Sequence, residues 1–469
     1  MSSSAVVRPF DGPAPTPAGA YDLGSLGYVE EEFLLSGEAS SYQFTGERTS
    51  SGHWSASADE TAPYASRILV RRPADGTPFS GTVMVEWLNV SGGLDAPPIW
   101  MMTHTHLIRR RHAWVGVSAQ RAGLEGGGMV DNGMHLKAAF PDRYAALTHP
   151  GDAWSFDIFS QAGAAIRDSS DVLGVHAARA RRLIAAGHSQ SAAFLVTYIN
   201  AVDALAHVYD GFAVHGRTGA AASLTDGFRP ARGAAAGGAA DAIRLDLRVP
   251  VLVLQTETDV ALLGSGRVGQ ADGDLLRNWE IAGAAHADTY LLIASGQDDG
   301  LLACDRLAEL IRPTTSIVIA TTEVPVNSGL QHHYVACAAM EHLDTWTGGG
   351  APPPAAPRLD LLPDGLDFHR DKDGIALGGI RTPWTDVPTA ILSGVGQAGG
   401  SMFGFLFGVT RSFSKEQLDE LYPGGLPDYL VRFEAALDET ITAGFLLPDD
   451  RAEALAVART AWPLSGAGL

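Results

Sequence analysis

The chain has 469 residues, 46% of them hydrophobic and 18% charged, which is enough to bury a large core and argues against a disordered or fibrous protein. Its formal charge of −20 and isoelectric point near 5.1 oppose nucleic acid phosphates and anionic lipid. No block of Lys or Arg offsets this, so neither nucleic acid nor a membrane surface is an expected partner. The N-terminus MSSSAVVRPFDGPAP lacks a basic region followed by an apolar stretch, and no 18-residue apolar segment occurs. The expectation is a soluble protein, cytoplasmic or secreted with its signal peptide outside this sequence, the cytoplasm being preferred. Cys304 and Cys337 are the only cysteines, too few for a Cys-x-x-Cys zinc site; pairing with each other and two separate buried thiols both remain open.

Residues 27–45 and 65–72 carry β-branched and apolar residues in short runs broken by Gly, Ser and Pro, and predict antiparallel edge strands. The apolar run TVMVEWL, Thr82 to Leu88, predicts a buried central strand ending in the turn Asn89, Val90, Ser91, Gly92, Gly93. Helical spacing over 98–110 and the run AWVGVS at 113–118 begin a strand–helix–strand alternation. It continues through a helix at 154–168, the strand RLIAA at 182–186, a helix from Ser191 to about Ala206, and strands at 211–216 and 251–255. Residues 217–247, rich in Ala and Gly, predict an excursion outside the sheet. APPPAAP at 351–357 reads as a stiff, solvated linker. The expected organisation is a core over 20–350 and an accessory portion over 351–469 packed on it, with amphipathic helices near 414–421 and 427–443.

A strand running straight into Gly187, His188, Ser189, Gln190, Ser191 and then a helix has the form of a nucleophile elbow, where a tight turn exposes the serine above the sheet. Small residues must flank the turn because strand and helix backbones come close; Gly187 meets this, and Ser191 stands where a second glycine is usual. A serine hydroxyl needs a base and an orienting acid, and the α/β-hydrolase fold supplies them in the order Ser, Asp or Glu, His. After the strand VLVLQ come Glu257 and Asp259, either of which could orient an imidazole; Asp259 lies further beyond the strand end and is preferred. The string WEIAGAAH then ends in His286. An oxyanion hole needs two backbone donors: Gln190, after the nucleophile, and one from Leu88, Asn89 or Val90, with Asn89 preferred. His188, Gln120 and Arg121 are candidate substrate-binding residues on the same sheet edge.

Other motifs are weaker. DKDG at 371–374 lacks the rest of a calcium loop, His332 and His333 lack a carboxylate or thiol to complete a metal set, and GLEGGG at 123–128 lacks the Lys-Ser/Thr of a phosphate loop and reads as a mobile loop near the site. No Gly-rich fingerprint for a dinucleotide follows the first strand.

The strings GYVEEEFLLSGEASSY, VMVEWLNVSGG, AWVGVSAQ, GHSQSA, QTETDV, WEIAGAAHADTY, PVNSGLQHHYVACAAMEHL and GGIRTPWTDVP together resemble the alpha/beta hydrolase domain-containing proteins, over roughly residues 27–450. The resemblance implies a mainly parallel central sheet flanked by helices and an ester hydrolase acting through Ser189, Asp259 or Glu257, and His286, on a small-molecule ester and without cofactor or metal. The turns ETD and GAAH also look like the acid and histidine turns of cutinase-like polyesterases, which favours Asp259. A lactonase, amidase or acyltransferase would share the triad, and a binding protein of this fold would keep the sheet but lack it.

Overall fold

The computed structural model describes residues 5–15, 19–168, 170–225, 227, 240–397 and 402–466. The apolar runs form one nine-stranded sheet: β1 (Val6–Pro9), β2 (Tyr28–Phe44), β3 (Ala56–Pro73), β4 (Thr82–Trp87), β5 (Ala113–Val117), β6 (Arg182–His188), β7 (Gly211–His215), β8 (Val251–Thr256) and β9 (Leu276–Ile281). Their order across the sheet is β1-β2-β3-β5-β4-β6-β7-β8-β9. β1, β2, β3 and β5 pair antiparallel, and every pair from β5–β4 to β8–β9 is parallel. Most strands after β3 are largely apolar because helices cover both faces of the sheet, whereas the edge strand β9 carries Arg277, Asn278 and Glu280. β4 has β5 on one side and β6 on the other, so the chain order reverses there. At such a switch point the connections leave the strand ends in opposite directions and open a crevice at the carboxyl edge.

Side chains alternate between two apolar layers, as the strand period requires. Val83, Val85 and Trp87 join Phe156, Phe159, Phe194 and Phe212 on one face, while Met84 joins Trp100, Trp114 and Trp279 on the other. Glu86 points into that second layer. Its carboxylate accepts bonds from the N–H groups of Ile99 (2.8 Å) and Trp100 (3.0 Å) and from Trp114 Nε1 (2.8 Å). Burial pushes its pKa up to about 8 despite these donors. It fixes the start of the helix Pro98–Arg109, and with it the far end of the loop that leaves β4.

Several elements differ from expectation. β2 and β3 run for 17 and 18 residues, because their outer halves pair with each other beyond the sheet body and so carry exposed residues. β1 is short and mostly exposed, which hides it from pattern reading. The helix Gln331–Thr347 is buried along most of its length and therefore shows little amphipathic contrast. The excursion expected at 217–247 lies outside the described residues at 226 and 228–239. Cys304 and Cys337 are both free thiols. Among the described residues no helix is long and apolar enough to cross a membrane.

The proline-rich stretch is docked at Pro353 and Pro354, while Ala351, Pro352, Ala355 and Pro357 are exposed. Its carbonyls take part in no ladder and accept bonds from Trp279 Nε1 (to Pro354, 2.9 Å) and Arg277 Nε (to Pro353, 3.2 Å). Leu359 N then donates to Glu280 (2.8 Å), and Ile380 forms a parallel bridge with Ile281 at the end of the last strand. The helices Leu426–Thr442 and Arg451–Gly466 follow. Phe433, Leu437, Ala454 and Val457 from these helices belong to the same contiguous apolar layer as Trp279 and Tyr334. Phe433→Ala, at a fully buried ring packed on Trp384 and Tyr429, is expected to cost about 3–5 kcal/mol and to lower one cooperative melting transition of the whole chain. Scanning calorimetry checks this, and a separate transition that alone responds would mark 351–469 as an independent unit.

Candidate active site

β6 passes into the helix Gln190–Thr197 with only Ser189 between them. Ser189 has φ 62° and ψ −119°, and among the described residues it shares a positive φ outside glycine only with Arg111 and His207. L-residues avoid this region because Cβ crowds the backbone, so neighbours must hold the turn. Ser189 N donates to His215 O (2.9 Å), and Ala193 N donates to Ser189 O (3.2 Å). A Cβ on Gly187 would come within 3.0 Å of the Ser191 backbone, which is why this position must be bare. Ser191 fits where a second glycine is usual, and its hydroxyl donates to Leu88 O (3.2 Å), tying the turn to the loop after β4.

That loop corrects the assignment of Asn89 as an oxyanion donor. Asn89 N donates to Ala96 O (2.9 Å) within a small antiparallel bridge and is not available to a ligand. The Asn89 side chain is a brace instead: Nδ2 donates to His188 O (3.0 Å) and Oδ1 accepts from Ser91 N (2.8 Å). The next N–H, that of buried Val90, and the N–H of Gln190, first in its helix, have no hydrogen-bond acceptor among the described residues.

The two candidate acids, of which the sequence prefers Asp259, have different partners. Asp259 Oδ1 faces His286 Nδ1 at 2.5 Å, and Asp259 Oδ2 accepts from Thr256 N (2.7 Å) and Thr256 Oγ1 (2.8 Å) in a capping box. Glu257 points away and accepts from Gly283 N (2.6 Å), Ser393 Oγ (2.7 Å) and Gly394 N (2.9 Å). Burial raises its pKa, while these three donors favour the ionised form. Glu257 therefore clasps the histidine turn to the hairpin Ala390–Ser393/Val409–Ser412. The same hairpin approaches His286 directly: Thr258 Oγ1 donates to Gly394 O (2.6 Å) and accepts from His286 N (3.2 Å), and Ala287 N donates to Leu406 O (3.1 Å).

Of the other candidates, His188 is buried with its ring on that of His286, centroids 4.4 Å apart. Gln120 is buried behind the edge with its amide engaged by Trp87 (3.1 Å) and Asp152 (3.4 Å), so it lines no open pocket. Arg121 has a half-exposed side chain with Glu125 at 3.8 Å. Sequence reasoning missed Asn327 and Gln331, whose amides donate to Gly283 O at 2.8 and 2.7 Å and hold the histidine turn from below. It also missed Thr256, although Thr-x-x-Asp is the spacing of a capping box. Among the described residues no group of three or more His, Cys, Asp or Glu side chains could hold a metal ion.

No curated protein matches this chain. Solved structures similar to it include an esterase from Pseudomonas putida at 13% identity, covering 56% of this chain and 75% of that one with a TM-score of 0.30. A variant of the esterase rPPE has 13% identity over 60% and 80% of the two chains, TM-score 0.33. A serine hydrolase without a lid from Xanthomonas campestris has 11% identity over 46% and 78%, TM-score 0.28. The model of a family described as alpha/beta hydrolase domain matches residues 4–456. With nearly its whole length matched, and with the mostly parallel helix-flanked sheet described above, the chain belongs to the alpha/beta hydrolase domain family.

Proposed function

We propose that the protein is a serine hydrolase of carboxylic esters acting through Ser189, His286 and Asp259. The observation that carries this reading is the placing of Ser189 in a positive-φ turn at the switch point of the sheet, with a buried Asp259–His286 pair on a neighbouring turn and the His286 ring packed on the residue before the serine. Ser189 Oγ attacks the ester carbonyl as its proton passes to His286 Nε2, and Asp259 keeps the remaining imidazole proton on Nδ1. The N–H groups of Gln190 and Val90 receive the oxyanion. His286 then protonates the leaving alcohol, and water, activated by the same imidazole, cleaves the acyl-enzyme.

The rims of the site favour an ester with an apolar acyl or alcohol group. On the Val90 side the glycine-rich loop over 126–134 carries Met129 and Met134, 38% and 54% exposed. A Cβ at Gly128 would sit 3.9 Å from Val90 O, so this loop lies on the oxyanion turn. On the histidine side Met402 and Phe405 are 61% and 41% exposed, and Leu406 is bonded to Ala287. Trp384, by contrast, is partly buried and packs on Tyr334 and Phe433.

Ser189→Ala is expected to lower hydrolysis of p-nitrophenyl acetate by a factor on the order of 10^3 or more with cooperative melting unchanged. Activity within tenfold of wild type removes Ser189 from the role of nucleophile. Asp259→Asn is expected to lower kcat by a factor on the order of 10^4, because an Asn holds the wrong imidazole tautomer. Glu257→Gln should act chiefly on stability, lowering the melting temperature; a larger kcat loss for Glu257→Gln than for Asp259→Asn would exchange the two. Phe405→Ser is expected to lower kcat/KM for p-nitrophenyl octanoate about tenfold more than for the acetate, as loss of an apolar contact with the longer chain would require; equal losses on both esters would remove Phe405 from the substrate path.

A further inference from the structure

Behind His286 the site continues into a buried row of three more imidazoles that the acyl-transfer steps leave unused. His188 and His215 end the adjacent strands β6 and β7 and face each other in register. The His188 ring packs on that of His286 with planes 34° apart. It meets His215 edge-on at 4.7 Å between centroids, and His215 meets His332 edge-on at 4.9 Å. His215 Nε2 and His332 Nε2 are 2.7 Å apart, and His332 Nδ1 lies 3.4 Å from Asp288 Oδ2. His188, His215, His332 and Asp288 are all buried, the last two completely. Gly216, at φ 62°, makes room for the rings: a Cβ there would lie 3.0 Å from His188 Nε2 and 3.1 Å from His286 Cε1.

Asp288 sets the protons of this row. Its Oδ1 accepts from Leu291 N (2.9 Å), whereas Oδ2 and His332 Nδ1 each lack a hydrogen-bond partner and face each other at ion-pair distance. A buried carboxylate oxygen is costly unless a donor faces it, so the His332 proton sits on Nδ1. His332 Nε2 is then an acceptor and His215 donates from Nε2, which leaves His215 Nδ1 bare. That nitrogen and His188 Nε2 have no partner, so the hydrogen-bonded chain of rings stops at His215. His188 meets His286 through ring packing, charge and a hydrogen bond to the His286 backbone. Burial, reinforced by the neighbouring imidazoles, holds His188 and His215 well below the usual histidine range, so both are neutral at pH 7.

We propose that His188 is a positioning residue for His286, kept as a neutral ring by the Asp288–His332–His215 arm, and that Asp288 is a second carboxylate whose field favours the positive charge His286 acquires. The ionisable groups acting on His188 are His286 from the turn after β9, His215 from β7 and His332 from the helix Gln331–Thr347; Asp288 faces His332 and Asp259 faces His286. When Ser189 Oγ gives its proton to His286, one positive charge appears in the row, on a ring that Asp259 faces at 2.5 Å and that stands two residues before Asp288 in the same turn. This step rests on the ester-hydrolase reading; the imidazole arrangement does not.

The test titrates His286 by NMR of the histidine ring protons in the full chain, in wild type and Asp288→Asn, alongside the pH profile of kcat/KM for p-nitrophenyl acetate. A carboxylate raises the pKa of a nearby imidazole, so its loss should move the His286 titration and the acid limb to lower pH together, by about half a unit. An unmoved His286 titration in folded Asp288→Asn overturns the electrostatic link. His188→Ala should lower kcat about 100-fold with KM unchanged, and His188→Phe, which restores a ring, should recover most of that loss. Equal losses in the two His188 variants overturn the positioning role, whether or not Asp288→Asn folds. If Ser189→Ala retains ester hydrolysis, the reading of the reaction fails while the His286 titration still reports the arm.

Discussion

The strained backbone of Ser189 is the constraint around which the site is built. A non-glycine residue held at φ 62° costs on the order of 1 kcal/mol or more, and it persists only where the surroundings allow no alternative. Here every restraint comes from a different element. His215 O on β7 takes the Ser189 N–H, Ser191 Oγ grips Leu88 O on the loop after β4, and Asn89 Nδ2 grips His188 O. β4, β6 and β7 are thus bonded to one another through the turn that bears the serine. Because Asn89 and Ser191 fix the spacing between the two loops, the free N–H groups of Val90 and Gln190 are held relative to one another before any ligand arrives. In the proposed acyl transfer, such preorganised donors would cost no rearrangement as charge develops.

Two carboxylates two residues apart do different work because helix geometry sends them in different directions. Thr256 caps the short helix Glu257–Ala261, and the capping box turns Asp259 back toward the strand end, where one oxygen is left for His286. Glu257, at the first helical position, points outward to the histidine turn and the hairpin beyond it. An ionised group with no exposed surface is stable only when fully bonded. Each acid meets that condition with its own donors, so exchanging their roles would leave one of them unsatisfied.

How far the site was legible follows from the range of its interactions. Ser189 and His286 each sit where a strand pattern breaks into a turn, and such breaks are visible in sequence. The choice between Asp259 and Glu257 turned on which side of a short helix each occupies, and the Thr256-x-x-Asp259 spacing was the local signal that bore on it. Asn89 was misjudged because its N–H is consumed by Ala96, seven residues on in a loop with no periodicity. The parallel strands were legible as apolar runs, whereas the helix Gln331–Thr347 was not, since burial along most of its length leaves little stripe to read. The proline-rich segment misled for a related reason: its composition says that it makes no ladder, and only the fold says that its free carbonyls meet Trp279 and Arg277.

The accessory portion is best understood through the histidine turn. In the chain His286 follows β9, the last strand of the sheet, so no further strand can hold its turn in place. The support comes instead from far along the chain. Asn327 and Gln331 bond Gly283 O, Ser393 and Gly394 bond Glu257, and Leu406 O takes the N–H of Ala287. On the proposed hydrolase reading, an imidazole misplaced by 1 Å would cost a factor of about 100 in rate, a penalty these remote contacts would avert. The helices Leu426–Thr442 and Arg451–Gly466, further along the chain, pack into the layer that already holds Trp279 and Tyr334, so they share one core with the edge strand that precedes His286.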